Sequence, residues 1–306
     1  MTHTNTATPT SSDIFHLGGD LPVHRIGYGS MRLADAPDAR SGGTAHIWRA
    51  PTDRAEAVAL LRRAAELGVD LFDTADAYAL GAGEELIAEA LHPHRDRGIA
   101  VATKVGVVRP GPTEWVPLGH PAYLRQQAEL SLRRLRTERI DLLYLHRIDP
   151  DYPLADQVGA LRQLQDEGKV RHIGLSEVTV AQLREATETA PVAAVQNLYN
   201  LASRESEDVV DYTAAHGIAF VPYFPVAMGA HAAPDSPLSQ VARDLTATPS
   251  QTALAWLLHR SPTMLPIPGT SSVPHLEENV AALRLPLTGA QFEEISRASG
   301  PGTTAG

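Results

Sequence analysis

Residues 99–105, Ile99-Ala100-Val101-Ala102-Thr103-Lys104-Val105, make an apolar, partly β-branched run of strand length with one lysine near its end. Such a run predicts a strand. Similar runs lie outward from it in both directions, at Ile26–Met31, Leu71–Thr74, Ile140–His146, Val170–Ser176, Ala193–Tyr199, Ala219–Phe224 and Met264–Pro268. Helical stretches separate them. In residues 54–67, Val58, Leu61 and Ala65, flanked by Ala57, Leu60 and Ala64, recur at the spacing of one helix face. Thr52-Asp53, Thr179 and Thr288 stand where helix N-caps belong, and Gly68 stands where a glycine stops the first helix. Each crossover helix lets successive strands run the same way, and eight such units close a barrel. The expected fold is α/β, a (β/α)8 TIM barrel.

The competing parallel architecture is the doubly wound open sheet. It requires a G-x-G-x-x-G turn after the first strand, opening directly into a helix. Gly27-Tyr28-Gly29-Ser30-Met31 lacks the third glycine and the immediate helix, which makes that architecture a poor fit. Ahead of the first strand, residues 15–23 predict a β-hairpin turning at Gly18-Gly19 and capping the N-terminal end of the barrel. A C-terminal extra helix follows Thr288. Irregular stretches at about 34–52, 106–120 and 226–236 fall after strands one, three and seven, on the side where barrel active sites form. The expected organisation is a tail at 1–13, one domain at 14–298 and a flexible tail at 299–306.

Bulk composition narrows the function. Of 306 residues 43 % are hydrophobic, enough for one large core, and barrels of about 250 residues are ordinary single domains. A net charge of −10 argues against nucleic acid or an anionic membrane as partner. The absence of cysteine excludes disulfides, thiolate catalysis and Cys-based metal sites. Residues 1–13 lack the apolar core of a secretory signal, and no apolar run approaches the roughly 20 residues of a membrane span. No loop carries metal-ligand spacing such as H-E-x-x-H, so no metal is expected. The expectation is a cytoplasmic protein acting on a small molecule.

Four polar residues interrupt the strand pattern. Asp73 ends the second strand and Tyr78 lies five residues on, Lys104 lies near the end of the third, and His146 ends the fourth. Alone, each has an ordinary reading as a capping or hydrogen-bonded residue, and a barrel lysine can also form an imine with substrate. Together, at successive strand ends, they converge on one mouth. A lysine ammonium beside the phenol would lower its pKa, a carboxylate would balance the lysine, and a histidine would orient a carbonyl. That set suits acid-assisted reduction of a carbonyl by hydride.

Phe72-Asp73-Thr74-Ala75-Asp76-Ala77-Tyr78, the Lys104 strand, Tyr144-Leu145-His146-Arg147, Gly168 through Ser176 and Ile267-Pro268-Gly269-Thr270-Ser271-Ser272 together resemble the signatures of the aldo-keto reductase superfamily. The resemblance runs in order from about residue 14 to 297. It implies Tyr78 as general acid/base, Asp73 and Lys104 as its tuning pair, and His146 as the substrate-orienting residue. It also implies NADPH/NADP+, with NADH as the alternative, lying extended across the barrel mouth. Gly29, Ser30 and Met31 match the segment beside the nicotinamide ribose, with Asp73 near them. Ser176 and Gln196 match the carboxamide pair, and Tyr223 the aromatic under the ring. Phe224, Pro225 and Val226 match the pyrophosphate segment. Gly269, Thr270, Ser271, His275, Glu278 and Asn279 match the adenosine and 2′-phosphate site.

This chain departs from the superfamily pattern in places. Glu177 stands where many relatives have Asn, Gly269 where many have Lys, His275 where many have Arg, and Phe224 where Ser is frequent. The segments Val192 through Asn200, Val221 through Pro225 and Ile267 through Asn279 are most similar to a bacterial branch that includes pyridoxal reductases and pyridoxine 4-dehydrogenases. Trp48 and Trp115 are candidate substrate walls, Arg109 a candidate contact for an anionic group, and His120 and His231 are loop histidines on the same face. The implied activity is NADP(H)-dependent reduction of an aldehyde or ketone, either pyridoxal-like or a secondary-metabolite carbonyl. The alternative is a non-catalytic, cofactor-holding regulatory or redox-sensing subunit.

Overall fold

Successive strand residues point to opposite faces, and the packing separates them cleanly. Leu71, Ala100, Ala102, Leu142, Tyr144, Ala194, Val221, Leu265 and Ile267 form one interior cluster. Phe72, Val101, Leu143, Ile173, Val195 and Phe220 join a larger cluster against the helices. The computed structural model describes residues 13–34, 47–227 and 229–298. The expected tails lie, Asp13 excepted, outside the described residues, as does most of the stretch after strand one.

Strands β1 (Ile14–Leu17) and β2 (Leu21–His24) pair antiparallel through a turn at Gly18 and Gly19, both at positive φ. A Cβ on Gly18 would lie 2.1 Å from the His172 ring, so glycine is required there by contact as well as conformation. Leu17 and Val23 join the interior cluster, so the hairpin closes the barrel floor as expected.

A parallel sheet then curls around the interior. It consists of β3 (Tyr28–Gly29), β4 (Leu71–Asp73), β5 (Ala100–Val105), β8 (Ile140–Leu145), β9 (Val170–Ser176), β10 (Val192–Gln196) and β11 (Ala219–Phe220), hydrogen-bonded in that order. Two short strands, β6 (Val107–Val108) and β7 (Val116–Pro117), make a small hairpin above β5.

The eighth strand expected at 264–268 is not a regular ladder. It closes the ring through Phe220 N to Thr263 O at 2.9 Å, Leu265 N to Phe220 O at 2.8 Å and Gly27 N to Pro266 O at 3.0 Å. Pro266 and Pro268 lack N–H groups, which limits the segment to these links. Prolines 222 and 225 shorten β11 in the same way, leaving Tyr223 joined to Leu198 by a single parallel bridge. The first strand is cut to two residues and continues as a 3-10 turn at Ser30–Leu33.

Helices α1 (Arg54–Glu66), α2 (Ala82–Leu91), α3 (Pro121–Leu135), α4 (Leu154–Asp166), α5 (Val180–Thr189) and α6 (Glu207–His216) cover the outside. The caps fall where the sequence placed them. Asp53 accepts from Glu56 N at 2.8 Å, Thr179 forms a capping box with Gln182, and Thr288 Oγ1 accepts from Gln291 N at 3.3 Å. Strand seven is followed by two helices, α7 (Pro237–Asp244) and α8 (Pro249–Arg260), then α9 (Val273–Ala281) follows the eighth segment. The C-terminal α10 (Gly289–Ala298) packs Phe292 against Trp256. Among the described residues no helix is long and apolar enough to cross a membrane.

Candidate active site

The interior face of each strand is apolar at the floor and polar at the mouth. Leu71 is followed two residues on by Asp73, Ala102 by Lys104, Tyr144 by His146 and Ala194 by Gln196, all turned to the same side. The chain after β4 stays tied to β5, with Thr74 N bonded to Ala102 O at 2.8 Å and Asp76 N to Lys104 O at 3.2 Å. That carries Tyr78 over the lysine.

Lys104 is 1 % exposed, and its ammonium donates to Asp73 Oδ1 at 2.5 Å, Thr74 O at 2.8 Å and Tyr78 Oη at 3.2 Å. All three donors are used. Gln196 Nε2 donates to the other Asp73 oxygen at 2.9 Å. Burial alone would push the Lys104 ammonium down, but the adjacent Asp73 and Tyr78 oxygens more than offset it and hold the group above its ordinary value.

The expected lowering of the Tyr78 pKa is not the net outcome. Burial raises the phenol further than Lys104 pulls it down, so the hydroxyl rests as the neutral acid. His146 is also buried and neutral. Burial first, then the charges of Lys104, Arg147 and Arg109, drive its pKa well below the ordinary histidine value. Its Nδ1 has no hydrogen-bond partner among the described residues. The Tyr78 and His146 rings meet edge to face at 6.0 Å.

Both rings line a cavity of about 320 Å³ together with Trp115, Met31, Tyr223 and Phe224. Ser176, Gln196 and Arg147 line it too. Beside it runs a groove of about 140 Å³ bordered by Gly29, Arg32, Asp73, Tyr223, Phe224, Pro225, Val226 and Gly269. The two share Met31, Tyr78, Gln196, Tyr223 and Phe224, so Tyr78 stands at their junction. A larger cavity, about 540 Å³, lies at the opposite barrel end between Pro22, His94, Arg139 and Arg171 and contains none of these groups.

Not every residue named from sequence reaches these spaces. Ser30 is buried behind the groove, and Thr270 is spent locally, with its hydroxyl accepting from Ser272 N at 3.0 Å. Ser271, His275, Glu278 and Asn279 lie beyond Gly269, on the approach to and along α9, and border neither cavity. Gly269 has a physical reason to be glycine. A Cβ there would lie 2.6 Å from Gly29 O, and one on Gly29 would lie 2.7 Å from Ile267 O.

Trp115 lines the larger of the two adjoining spaces; Trp48 does not. Arg109 explains both. Its guanidinium lies 3.7 Å from the Trp115 ring centroid and 5.5 Å from that of Trp48. It donates to the carbonyls of Glu114 at 2.9 Å, Ile47 at 3.2 Å, Ala77 at 3.2 Å and Pro112 at 2.6 Å. It is therefore a clamp on three loop segments, and the reading of Arg109 as an anion contact is corrected. His120 is likewise accounted for, capping α3 through Ala122 N at 3.2 Å. His231 lies in a 3-10 turn at Gly229–Ala232 and borders neither space.

Two residues were missed. Arg147 lies inside a quoted motif and bonds His146 O at 2.6 Å and Ser176 Oγ at 3.0 Å. Arg32, one position past the named strand-one segment, is the cation on the groove wall. Glu177 sits at φ +56°, and its Oε1 accepts from Leu198 N at 2.8 Å.

Comparison with known proteins agrees with this geometry. The Aldo/keto reductase family profile matches residues 25–299. The chain is 46 % identical over 277 residues to an uncharacterized oxidoreductase of Schizosaccharomyces pombe, covering 90 % of this chain and 87 % of that protein. It is 41 % identical over 284 residues to pyridoxine 4-dehydrogenase of Escherichia coli, covering 91 % and 95 %. A crystal structure of an aldo/keto reductase from Klebsiella pneumoniae in complex with NADP and acetate superposes with a TM-score of 0.79 at 29 % identity, covering 95 % of this chain and 96 % of that one. With a match over most of its length and a barrel whose strands bring Asp73, Tyr78, Lys104 and Gln196 together, this chain belongs to the aldo/keto reductase family.

Proposed function

We propose that this oxidoreductase reduces an aldehyde or ketone to an alcohol with NADPH, with Tyr78 as the general acid. One observation carries the proposal: a neutral phenol, 3.2 Å from a buried ammonium, stands where a groove and an aromatic cavity join. The residues suit a nicotinamide dinucleotide. Tyr223 borders both spaces, Ser176 and Gln196 bring a hydroxyl and an amide to the larger one, and Arg32 places positive charge along the groove. The Gly29–Gly269 approach leaves backbone, not side chain, on that wall.

A bound nicotinamide supplies the hydride that adds to the carbonyl carbon. Tyr78 gives its proton to the carbonyl oxygen. Lys104 stabilises the charge left on the phenol oxygen, and Asp73 keeps Lys104 protonated and in place. Neutral His146 orients the carbonyl through a hydrogen bond. Holding Lys104 as a triply bonded ammonium also disfavours the imine-forming role, which requires a free amine.

The cavity bears on the substrate. Its walls are largely aromatic and apolar, Arg109 is spent on carbonyls, and Arg147 donates through one guanidinium nitrogen, Nη1, to His146 O and Ser176 Oγ. Those walls favour a flat aromatic carbonyl such as pyridoxal. Steady-state oxidation of NADPH with a panel of aromatic aldehydes tests this. Turnover with its members supports it. Tight NADPH binding without turnover on any carbonyl would favour the regulatory-subunit alternative.

A further inference from the structure

The cavity of about 540 Å³ at the floor of the barrel is lined by none of the residues that meet at Tyr78. Pro22 of β2, the turn His94–Arg97 between α2 and β5, residues 136–139 between α3 and β8, and Arg171 of β9 border it. Four arginines lie on its walls, Arg95, Arg136, Arg139 and Arg171, in a chain whose net charge is −10. Arg171 is paired with Asp20 at 3.0 Å. The other three make no side-chain hydrogen bond or ion pair among the described residues. The Nε of Arg139 is buried without a partner, and so is Nδ1 of His94, which is only 2 % exposed. Buried polar atoms in folded proteins are nearly always satisfied. A floor that served only to hold the barrel together would pair its cations.

These like charges are gathered at a cost. Burial first, then the charges of Arg95 and Arg171, holds the Arg139 guanidinium below its ordinary value, and Asp141 and Asp20 oppose them less. Asp141 is committed elsewhere, since its Oδ2 accepts from Val101 N at 3.1 Å and lies 3.8 Å from His94 Nε2. Asp96 and Glu138 also border the cavity, but both are exposed and neither forms an ion pair with the arginines among the described residues. Arg136 ends α3 in the left-handed region at φ +55°, a position where helices usually place glycine. Glycine would end the helix without that cost; arginine brings charge to the cavity instead.

We propose that this cavity is an anion site, separate from the active site, that binds a phosphate group, free or carried on a small organic molecule, through Arg95, Arg136 and Arg139. A guanidinium presents a planar fork of donors that matches phosphate, and the several oxygens of one phosphate can take more than one fork. The volume is that of a small-molecule site and exceeds the needs of a single ion, with Leu21, Pro22 and Pro93 as apolar wall for an organic body.

The test is binding of phenyl phosphate and of inorganic phosphate to the intact chain, followed by isothermal titration calorimetry and by the rise in thermal unfolding temperature, with phenol as the uncharged control. Saturable binding of a phosphate and none of phenol is expected. A higher affinity for phenyl phosphate identifies an ester as the ligand, and an equal one identifies the free ion; either supports the site. Arg139→Gln should weaken binding about tenfold, as should the double variant Arg95→Gln/Arg136→Gln, whose side chains are exposed and replaceable without loss of folding. Arg32→Gln, on the groove at the other end of the barrel, should change the affinity by less than about twofold, which separates this site from a phosphate held there. Failure of both phosphates to bind the folded wild-type chain would overturn the proposal. So would binding that Arg95→Gln/Arg136→Gln leaves intact, or that Arg32→Gln removes.

Discussion

Lys104 and Asp73 meet at 2.5 Å with neither side chain more than 4 % exposed, and that ion pair is the support on which Tyr78 rests. Removing one member of a buried pair strands the other in a medium that solvates it poorly. Lys104→Met is expected to cost about 3–5 kcal/mol of unfolding free energy in denaturant titration. The double variant Asp73→Asn/Lys104→Met should recover a good part of that loss, since no uncompensated charge remains. A double variant as unstable as the sum of its singles would show that the pair is not energetically linked.

Tyr78 sets the pH behaviour. Reduction needs the phenol protonated, and burial holds its pKa above the ordinary value of about 10. Carbonyl reduction should therefore stay level through neutral and mildly alkaline pH and decline only above the ordinary phenol range. Alcohol oxidation, which needs the phenolate as base, should rise with pH across the same interval. Opposite initial-rate profiles in the two directions are the check. A reduction rate that falls with an apparent pKa near 8 would be inconsistent with this site.

His146 affects stability with the opposite sense to a paired histidine. Its folded pKa is depressed, so below about pH 6.5 the unfolded chain takes up a proton that the folded chain refuses. Its neutral form contributes full stability above that pH, and stability is lost as pH falls, by up to about 1.4 kcal/mol per pH unit for one group. The difference in unfolding free energy between wild type and His146→Gln should therefore shrink between pH 7 and pH 5. A constant difference would mean that His146 titrates normally.

Much of this was legible from sequence because it depends on local chemistry. Strand-length apolar runs, the Gly18-Gly19 turn, the caps at Asp53 and Thr179, and polar residues ending inward-facing strands are all short-range signals. The eighth segment was located correctly, but its ladder was not, because two prolines remove donors from an otherwise strand-like run. The net direction of the Tyr78 pKa was missed, since it depends on how deeply the ring is buried, and spacing does not report burial. Arg109 was misread for a related reason. Nothing in the sequence around it shows that carbonyls 47 and 77 converge on its guanidinium.

Arg109 yields its own expectation. Its four carbonyl bonds and its contact with Trp115 join the loop before Tyr78 to the aromatic wall of the cavity. Arg109→Ala leaves those carbonyls without their donor and should cost about 2–4 kcal/mol of stability. In enzyme that remains folded, KM for an aromatic aldehyde should rise more than kcat falls. Arg109→Lys should rescue little, because one ammonium cannot reproduce the planar fork. Full rescue by lysine in unfolding and steady-state assays would show that only the charge matters.

The decisive measurement is single-turnover oxidation of bound NADPH by an aromatic aldehyde, comparing wild type with Tyr78→Phe. The substitution keeps the ring but deletes the proton donor. The hydride step should slow about 10²- to 10⁴-fold while the NADPH dissociation constant stays within about twofold. A Tyr78→Phe variant that transfers hydride at close to the wild-type rate would show that the proton comes from elsewhere.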